Sequence, residues 1–237
     1  MKRWRGLFVT GTDTGVGKTV ITAAIAAALR SDGMNAGVWK PVQSGALLGS
    51  GNTDAEVVAR MAGLEEKPER IASFTFEPPL TPMLAARHSG VSLRLEDILA
   101  AGETLAARYD ALVIEGAGGV AVPLTDDALV VDLITELRVP VLIVARSGLG
   151  TVNHTLLTAA LLRQRHIPIA GVVMNDYMSE PDDPSVATNA ELIEQYGGLQ
   201  VLGRFPRLSN PMNRESLVRA TKESIRLTSL FPKKYEE

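Results

Sequence analysis

The nonapeptide Gly11-Thr12-Asp13-Thr14-Gly15-Val16-Gly17-Lys18-Thr19 limits what this chain can fold into more than any other feature. It follows a short apolar run, residues 7–10 (LFVT), and leads into an amphipathic stretch, residues 19–30. Strand, glycine loop and helix in that order form the context in which a G-x-x-x-x-G-K-[ST] pattern cradles phosphate. The match is close: Thr12 stands where the first glycine belongs, and Gly11 lies one residue earlier. Gly15 and Gly17 let backbone N–H groups turn inward, and the helix start adds partial positive charge. Lys18 is then placed to bridge β- and γ-phosphates, and the Thr19 hydroxyl to ligate Mg²⁺. The bland alternative is a glycine turn beside a chance lysine, which the ordered context argues against.

The rest of the chain repeats that alternation. Apolar runs at residues 36–42, 111–115, 139–145, 169–175 and 201–205 predict strands. Helical patterns fall between them at 54–62, 95–108, 130–137, 152–163 and 188–196, with a closing helix over 214–230. Most runs are continuously apolar, as in strands buried on both faces. The expected fold class is α/β, a single P-loop NTPase-type domain over residues 1–237, with a parallel sheet covered by helices on both faces. No internal repeat or linker interrupts it, and the polar segment 179–185 reads as a surface loop. In such sheets ligands sit beyond the carboxyl ends of the strands.

Composition narrows the chemistry. Of 237 residues, 46% are hydrophobic and 22% charged, which supplies a sizeable core. Lys and Arg number 24 against 27 Asp and Glu, a net charge of −3 without the basic surplus of nucleic-acid or membrane-surface binders. The absence of cysteine excludes disulfides, thiolate zinc sites, iron–sulfur clusters and a Cys nucleophile. His88, His154 and His166 are scattered without metal-ligand spacing and read as packing residues. No segment approaches the roughly 18 apolar residues of a membrane helix. The apolar run at 6–9, after a basic start, is too short for a signal peptide core. A soluble cytoplasmic protein is expected, with neither nucleic acid nor membrane as partner.

Three further residues stand out. Glu115 ends a buried apolar run and precedes Gly116-Ala117-Gly118-Gly119, the place for a magnesium-binding carboxylate near a phosphate loop. A solvated strand-end glutamate is the alternative. Asp54 opens a helix, where capping alone would account for it, although both roles can coexist. Lys40 lies in an otherwise apolar strand, which is costly unless it pairs, points into a site or snorkels to the surface.

Taken together, GTDTGVGKT, WKPVQSG, NTDA, EGAGG, GLGTVNHTLLT and MND resemble the dethiobiotin synthetases, in order over residues 6–213. That resemblance implies a homodimeric, Mg²⁺-dependent cyclo-ligase. Such an enzyme turns 7,8-diaminopelargonic acid, CO₂ and ATP into dethiobiotin, ADP and phosphate. Carried over by position, it implies that Gly15, Val16, Gly17, Lys18, Thr19 and Val20 bind the ATP phosphates. Thr19, Asp54 and Glu115 would bind magnesium, and Lys40 would act with Lys18 in catalysis. Gly116, Ala117 and Gly118 would join Glu115 in lining the nucleotide site. Asn175, Asp176, Pro206, Arg207 and Leu208 would face the adenine. Thr14 and Ser44 would touch the diamine. Gly150, Thr151, Val152 and Asn153 would hold the carboxylate of substrate bound to the neighbouring subunit. Gly15 stands where some members carry an acidic residue, and Asn213 where some carry a glutamate near the nucleotide.

Two rival readings share the nucleotide core. Amidating synthetases of the cobyrinic-acid type add a glutaminase domain with a cysteine, and this chain has neither the length nor the residue. Partitioning-type ATPases carry a signature lysine early in the loop, where Thr12, Asp13 and Thr14 stand here.

Overall fold

The computed structural model describes residues 4–176 and 183–231. Of the expected loop 179–185, residues 179–182 lie outside that range, and Asp183 leads into a short 3-10 helix, Pro184–Ala187.

Seven strands form one sheet: β1 Gly6–Gly11, β2 Ala36–Ser44, β3 Ala72–Phe76, β4 Ala111–Glu115, β5 Val141–Arg146, β6 Ile169–Asn175 and β7 Val201–Phe205. Every pair is parallel, in the order β3-β2-β4-β1-β5-β6-β7. The helices are α1 Lys18–Ser31, α2 Asp54–Ala62, α3 Pro68–Ile71, α4 Pro82–His88, α5 Leu95–Arg108, α6 Val130–Leu137, α7 Thr151–Gln164, α8 Asn189–Gly197, α9 Arg214–Ser224 and α10 Leu227–Leu230.

The continuous apolar runs work because successive strand residues serve opposite faces. Leu7 and Val9 of β1 join the core under α1, α2 and α9, while Phe8 joins the core under α5 to α8. In β5, Leu142 and Val144 go one way and Val141, Ile143 and Ala145 the other. The expected doubly covered parallel sheet is therefore what forms.

Three expectations differ in detail. Residues 72–76 (ASFTF) are strand β3, absent from the sequence reading because this edge strand has one neighbour and needs no continuous apolar run. The closing helix over 214–230 breaks in two. Ile225 bridges to Gly203 and the Arg226 N–H donates to the Leu202 carbonyl at 3.0 Å, so β7 pulls the chain out of helix there. The strand expected from residue 139 begins at Val141, after Pro140, which has no N–H to give a ladder.

The sheet order places the site. From β1 the chain builds outward to β2 and β3, returns to β4, then crosses to β5 on the other side of β1. The tips of β1 and β4 meet at that reversal, where open α/β sheets bind ligands.

Candidate active site

The loop between β1 and α1 is shaped by glycine and by a distant asparagine. Gly17 has φ of 93°, a conformation costly for residues with a Cβ, and it opens α1 as its N-cap. A Cβ there would run into the Asn175 side chain from the tip of β6. Asn175 is fully buried, and its Nδ2 donates to the Val16 carbonyl at 2.9 Å. The loop is thereby fastened to the sheet two strands away. Lys18 is 7% exposed and folds back, its Nζ donating to the Asp13 carbonyl at 3.0 Å. Burial, aided by the nearby Lys40 charge, lowers its pKa to about 8.

Four side chains from four elements meet beside this loop. The Thr19 hydroxyl lies 3.0 Å from Asp54 Oδ1 and 2.9 Å from Glu115 Oε1, and its one proton serves them in turn. Lys40 Nζ lies 2.6 Å from Asp54 Oδ2 and 2.8 Å from Glu115 Oε1, and donates to the Gly116 carbonyl at 3.2 Å. Of the alternatives for Lys40, pairing and pointing into the site both hold, and snorkelling does not. The backbone explains why a lysine fits there. β2 pairs with β4 as far as Trp39↔Ile114 and with β3 from Lys40↔Ala72 onward. Pro41, without an N–H, follows at that change of partner.

Burial opposes the charge on Lys40, but Glu115 and Asp54 outweigh it and hold the ammonium above the usual lysine range. Burial would also raise Asp54, yet Lys40 and the Thr19 hydroxyl keep its carboxyl below the usual range. Glu115 is wholly buried, and that burial pushes its carboxyl upward against the pull of Lys40.

Asp54 does not cap its helix. Thr53 is the N-cap: it accepts from the Glu56 N–H, while Glu56 reaches back to the Thr53 N–H at 3.0 Å. Glu56 also accepts from the Thr53 hydroxyl at 2.8 Å and the Gly49 N–H at 2.7 Å. Asp54, as the first helical residue, keeps its carboxylate for Thr19 and Lys40. Gln43 steadies the same turn, accepting from the Ala55 N–H at 3.1 Å and donating to Thr75 Oγ1 of β3 at 2.9 Å.

The donor set suits a hard divalent cation. Glu115 Oε2 is buried and has no hydrogen-bond partner among the described residues. Such an orphaned oxygen is costly unless something cationic or protic meets it. Two carboxylates and a threonine hydroxyl are too few for an all-protein cage, and no group of three His, Cys, Asp or Glu gathers among the described residues. Mg²⁺ binds in this fashion, through one or two carboxylates plus waters and substrate phosphates.

A cavity of about 720 Å³ opens over the cluster. Thr14, Gly15, Gly17, Lys18, Thr19, Val20, Lys40, Ser44, Asp54, Glu115, Ala117 and Gly118 line it, which brings together most residues anticipated from sequence. Gln43, Pro79, Leu80, Thr81, Pro82, Leu84 and Val122 line it too and were not anticipated. The proline-rich stretch after β3 reads locally as a turn, and only its fold beside β2 makes it a wall. Ser44 ties it down by donating to the Leu80 carbonyl at 2.7 Å.

Other anticipated residues lie off this cavity. Asp176 receives hydrogen bonds from Ser147 and pairs with Arg204 at 3.1 Å. Pro206, Arg207 and Leu208 follow β7 at the surface, and Pro206 and Leu208 border a smaller pocket of about 320 Å³. Asn213 caps α9, accepting from the Ser216 N–H at 2.9 Å. Gly150, with φ of 88°, and Thr151, Val152 and Asn153 form the start of α7.

Known proteins similar to this chain show its fold and its family. Two solved structures show the fold alone. A ParA family ATPase from Chlorobium tepidum TLS superposes with a TM-score of 0.56 at 16% identity, covering 96% of each chain. The MinD cell division protein of Aquifex aeolicus gives 0.56 at 15% identity, over 92% of this chain and 96% of that one. A family model described as an AAA domain matches residues 5–215. An ATP-dependent dethiobiotin synthetase BioD of Bacillus cereus strain B4264 is 39% identical over 225 residues, 95% of this chain and 93% of the relative. The protein of that name from Anaeromyxobacter dehalogenans strain 2CP-C is 48% identical over 202 residues, 85% of this chain and 90% of the relative. With the phosphate loop, the strand lysine and the two carboxylates all inside the matched span, this chain belongs to the dethiobiotin synthetase family.

Proposed function

We propose that this chain is an ATP- and Mg²⁺-dependent cyclo-ligase that converts 7,8-diaminopelargonic acid and CO₂ into dethiobiotin, releasing ADP and phosphate. The carrying observation is the Lys40–Asp54–Glu115–Thr19 cluster beside the phosphate loop, under a cavity lined by both polar and apolar residues. One amine of the substrate adds to CO₂ and loses a proton, giving a carbamate. A carbamate oxygen attacks the γ-phosphorus and the bond to ADP breaks, leaving a carbamic–phosphoric anhydride. The second amine attacks the anhydride carbonyl and loses a proton as phosphate departs and the cyclic urea closes.

Negative charge gathers on carbamate and phosphate oxygens throughout, so fixed cations and N–H groups are the fitting catalysts. Lys18 and the N–H groups from Gly15 to Val20 take the phosphates. Lys40, held charged by its carboxylates, meets the carbamate and the transferring phosphoryl group. Thr19, Asp54 and Glu115 would hold Mg²⁺, which when bound supplies positive charge to the phosphate oxygens. Thr14 and Ser44 contact the diamine, and Pro79, Leu80, Leu84 and Val122 flank its aliphatic chain. Glu115 to Gly118, Asn175, Asp176 and Pro206 to Leu208 surround the nucleotide.

The reading includes a homodimer whose active site is shared, within one P-loop domain per chain. Gly150 to Asn153 lie off the cavity, and Leu149 just before α7 and Leu157 in its second turn are 79% and 62% exposed. This supports a partner covering that face and receiving the substrate carboxylate. No described helix is long and apolar enough to cross a membrane, and the cytoplasm is the proposed setting. The test is mass-spectrometric detection of dethiobiotin from diamine, bicarbonate and Mg·ATP. Product should vanish on omission of any one; phosphate release independent of the diamine would instead indicate an ATPase switch.

A further inference from the structure

The start of α7 is held from both sides by residues that lie after β6. Asn189 is 4% exposed, and the two protons of its Nδ2 are shared among three acceptors, the carbonyls of Ser147 at 2.8 Å and Gly148 at 3.2 Å and Ser185 Oγ at 3.1 Å. Asp183 accepts from the Leu149 N–H through Oδ2 at 2.8 Å. Its other oxygen accepts from the Ser185 N–H at 2.9 Å and hydroxyl at 2.6 Å. Three consecutive residues, 147 to 149, are thus fastened by side chains 34 to 42 positions downstream. The contact is close: a Cβ on Gly148 would come within 2.7 Å of Asp183 Oδ2.

What this clamp positions is the set of open amides that follows. α7 has no side-chain cap. The Thr151 N–H is taken by the Gly148 carbonyl at 3.3 Å and the His154 N–H by the Gly150 carbonyl at 3.3 Å. Between them, the N–H groups of Val152 and Asn153 make no hydrogen bond among the described residues. Free N–H groups at a helix start attract an anion. The Ser147 and Gly148 carbonyls just before them would repel one, and Asn189 keeps both occupied.

We propose that Asp183 and Asn189 are positioning residues for substrate recognition, fixing residues 147–149 so that the Val152 and Asn153 amides face the substrate carboxylate of the partner's site. This rests on the reading of Gly150 to Asn153 given above and extends it to two residues outside the helix. Asn189→Asp places an anion against three oxygens in the same volume. Asp183→Ala frees the Leu149 N–H, whereas Asp183→Asn keeps one acceptor for it.

The experiment compares kcat/KM for the natural acid with that for the same diamine carrying a methyl in place of the carboxylate. ADP affinity and melting temperature are measured alongside in wild type, Asn189→Asp, Asp183→Ala and Asp183→Asn. Freeing the Leu149 N–H, or setting a carboxylate against the Ser147 and Gly148 carbonyls, should raise KM for the acid on the order of tenfold in Asp183→Ala and Asn189→Asp, with ADP affinity and the methyl compound changed less than about twofold. Preference for the acid falls accordingly, and Asp183→Asn retains it. If Asn189→Asp does not fold, the two Asp183 variants carry the comparison. Equal losses toward both diamines, or an unchanged preference, overturn the proposal while leaving the carboxylate reading intact. A wild-type enzyme that does not prefer the acid overturns that reading, and the clamp's role with it.

Discussion

Lys40 Nζ and Glu115 Oε1 lie 2.8 Å apart, with the two side chains 3% and 1% exposed, one from β2 and the other from the tip of the neighbouring β4. Removing one member of such a pair leaves a buried charge uncompensated, at a cost of about 3–5 kcal/mol. Lys40→Gln should therefore melt earlier than wild type. Its single-turnover phosphoryl transfer should also fall on the order of 10²-fold, because the charge that Lys40 meets grows as phosphate transfers. ADP affinity should stay near wild type. A loss confined to ADP affinity would assign Lys40 to nucleotide binding alone.

Lys18 makes nucleotide affinity sensitive to pH. Its folded, ligand-free pKa is lowered to about 8 by burial. Phosphate favours the protonated ammonium, so binding raises that pKa. As pH climbs through about 8 the free protein loses the proton, and ADP binding must restore it. Affinity should therefore hold below pH 8 and weaken above it, by up to about tenfold per pH unit. Lys18→Ala should show weaker binding without that slope, and turnover reduced on the order of 10²-fold or more. Calorimetry from pH 6.5 to 9.5, in buffers of differing ionisation enthalpy, reads both the affinity and the proton uptake.

Glu56 ties acid stability to the turn that presents Asp54. Donation from the Thr53 hydroxyl, with N–H groups of Thr53 and Gly49, brings its pKa from the ordinary 4.5 down to about 2. A carboxyl depressed by folding stabilises the fold above its unfolded pKa, and that contribution is lost as pH falls toward the folded value. Wild type should lose part of its stability between about pH 4.5 and 2, and Glu56→Gln should lack that part of the slope. Chemical denaturation across this range checks it; parallel curves for the two proteins would show that Glu56 is unimportant there.

Shared sites predict complementation. Lys18→Ala and an inactivating Asn153 variant, each dead alone, are mixed in equal amounts and allowed to exchange subunits. Each heterodimer then carries one site with both lesions and one with neither. Random pairing makes about half the dimers mixed, so roughly a quarter of wild-type activity should return. Exchange verified by native mass, without recovered activity, would place each site within one chain.

The elements read correctly from sequence are those whose signals are local. The β1–loop–α1 unit announces itself through a run of apolar residues, two glycines at positive φ and a helix start, all within two dozen positions. The capping box of α2 is equally local, since Thr53 and Glu56 have the required spacing, although Asp54 beside them is by residue type as good a cap. β3 was illegible because an edge strand that buries only its end residues, Ala72 and Phe76, shows neither a continuous apolar run nor a clear alternation.

Residue types and spacing were enough to establish a phosphate loop, a parallel α/β sheet and the two carboxylates that lie near it, because backbone conformation and hydrophobic periodicity are set by neighbours in the chain. The partners of Lys40 were not available at that level. They lie 14 and 75 positions away, and meet it only because β2 and β4 are adjacent and α2 starts above their tips. The apolar cavity wall after β3 and the clamp on residues 147–149 have the same origin. Which side chains share a site follows from strand order and from how the layers pack, and those are properties of the folded whole.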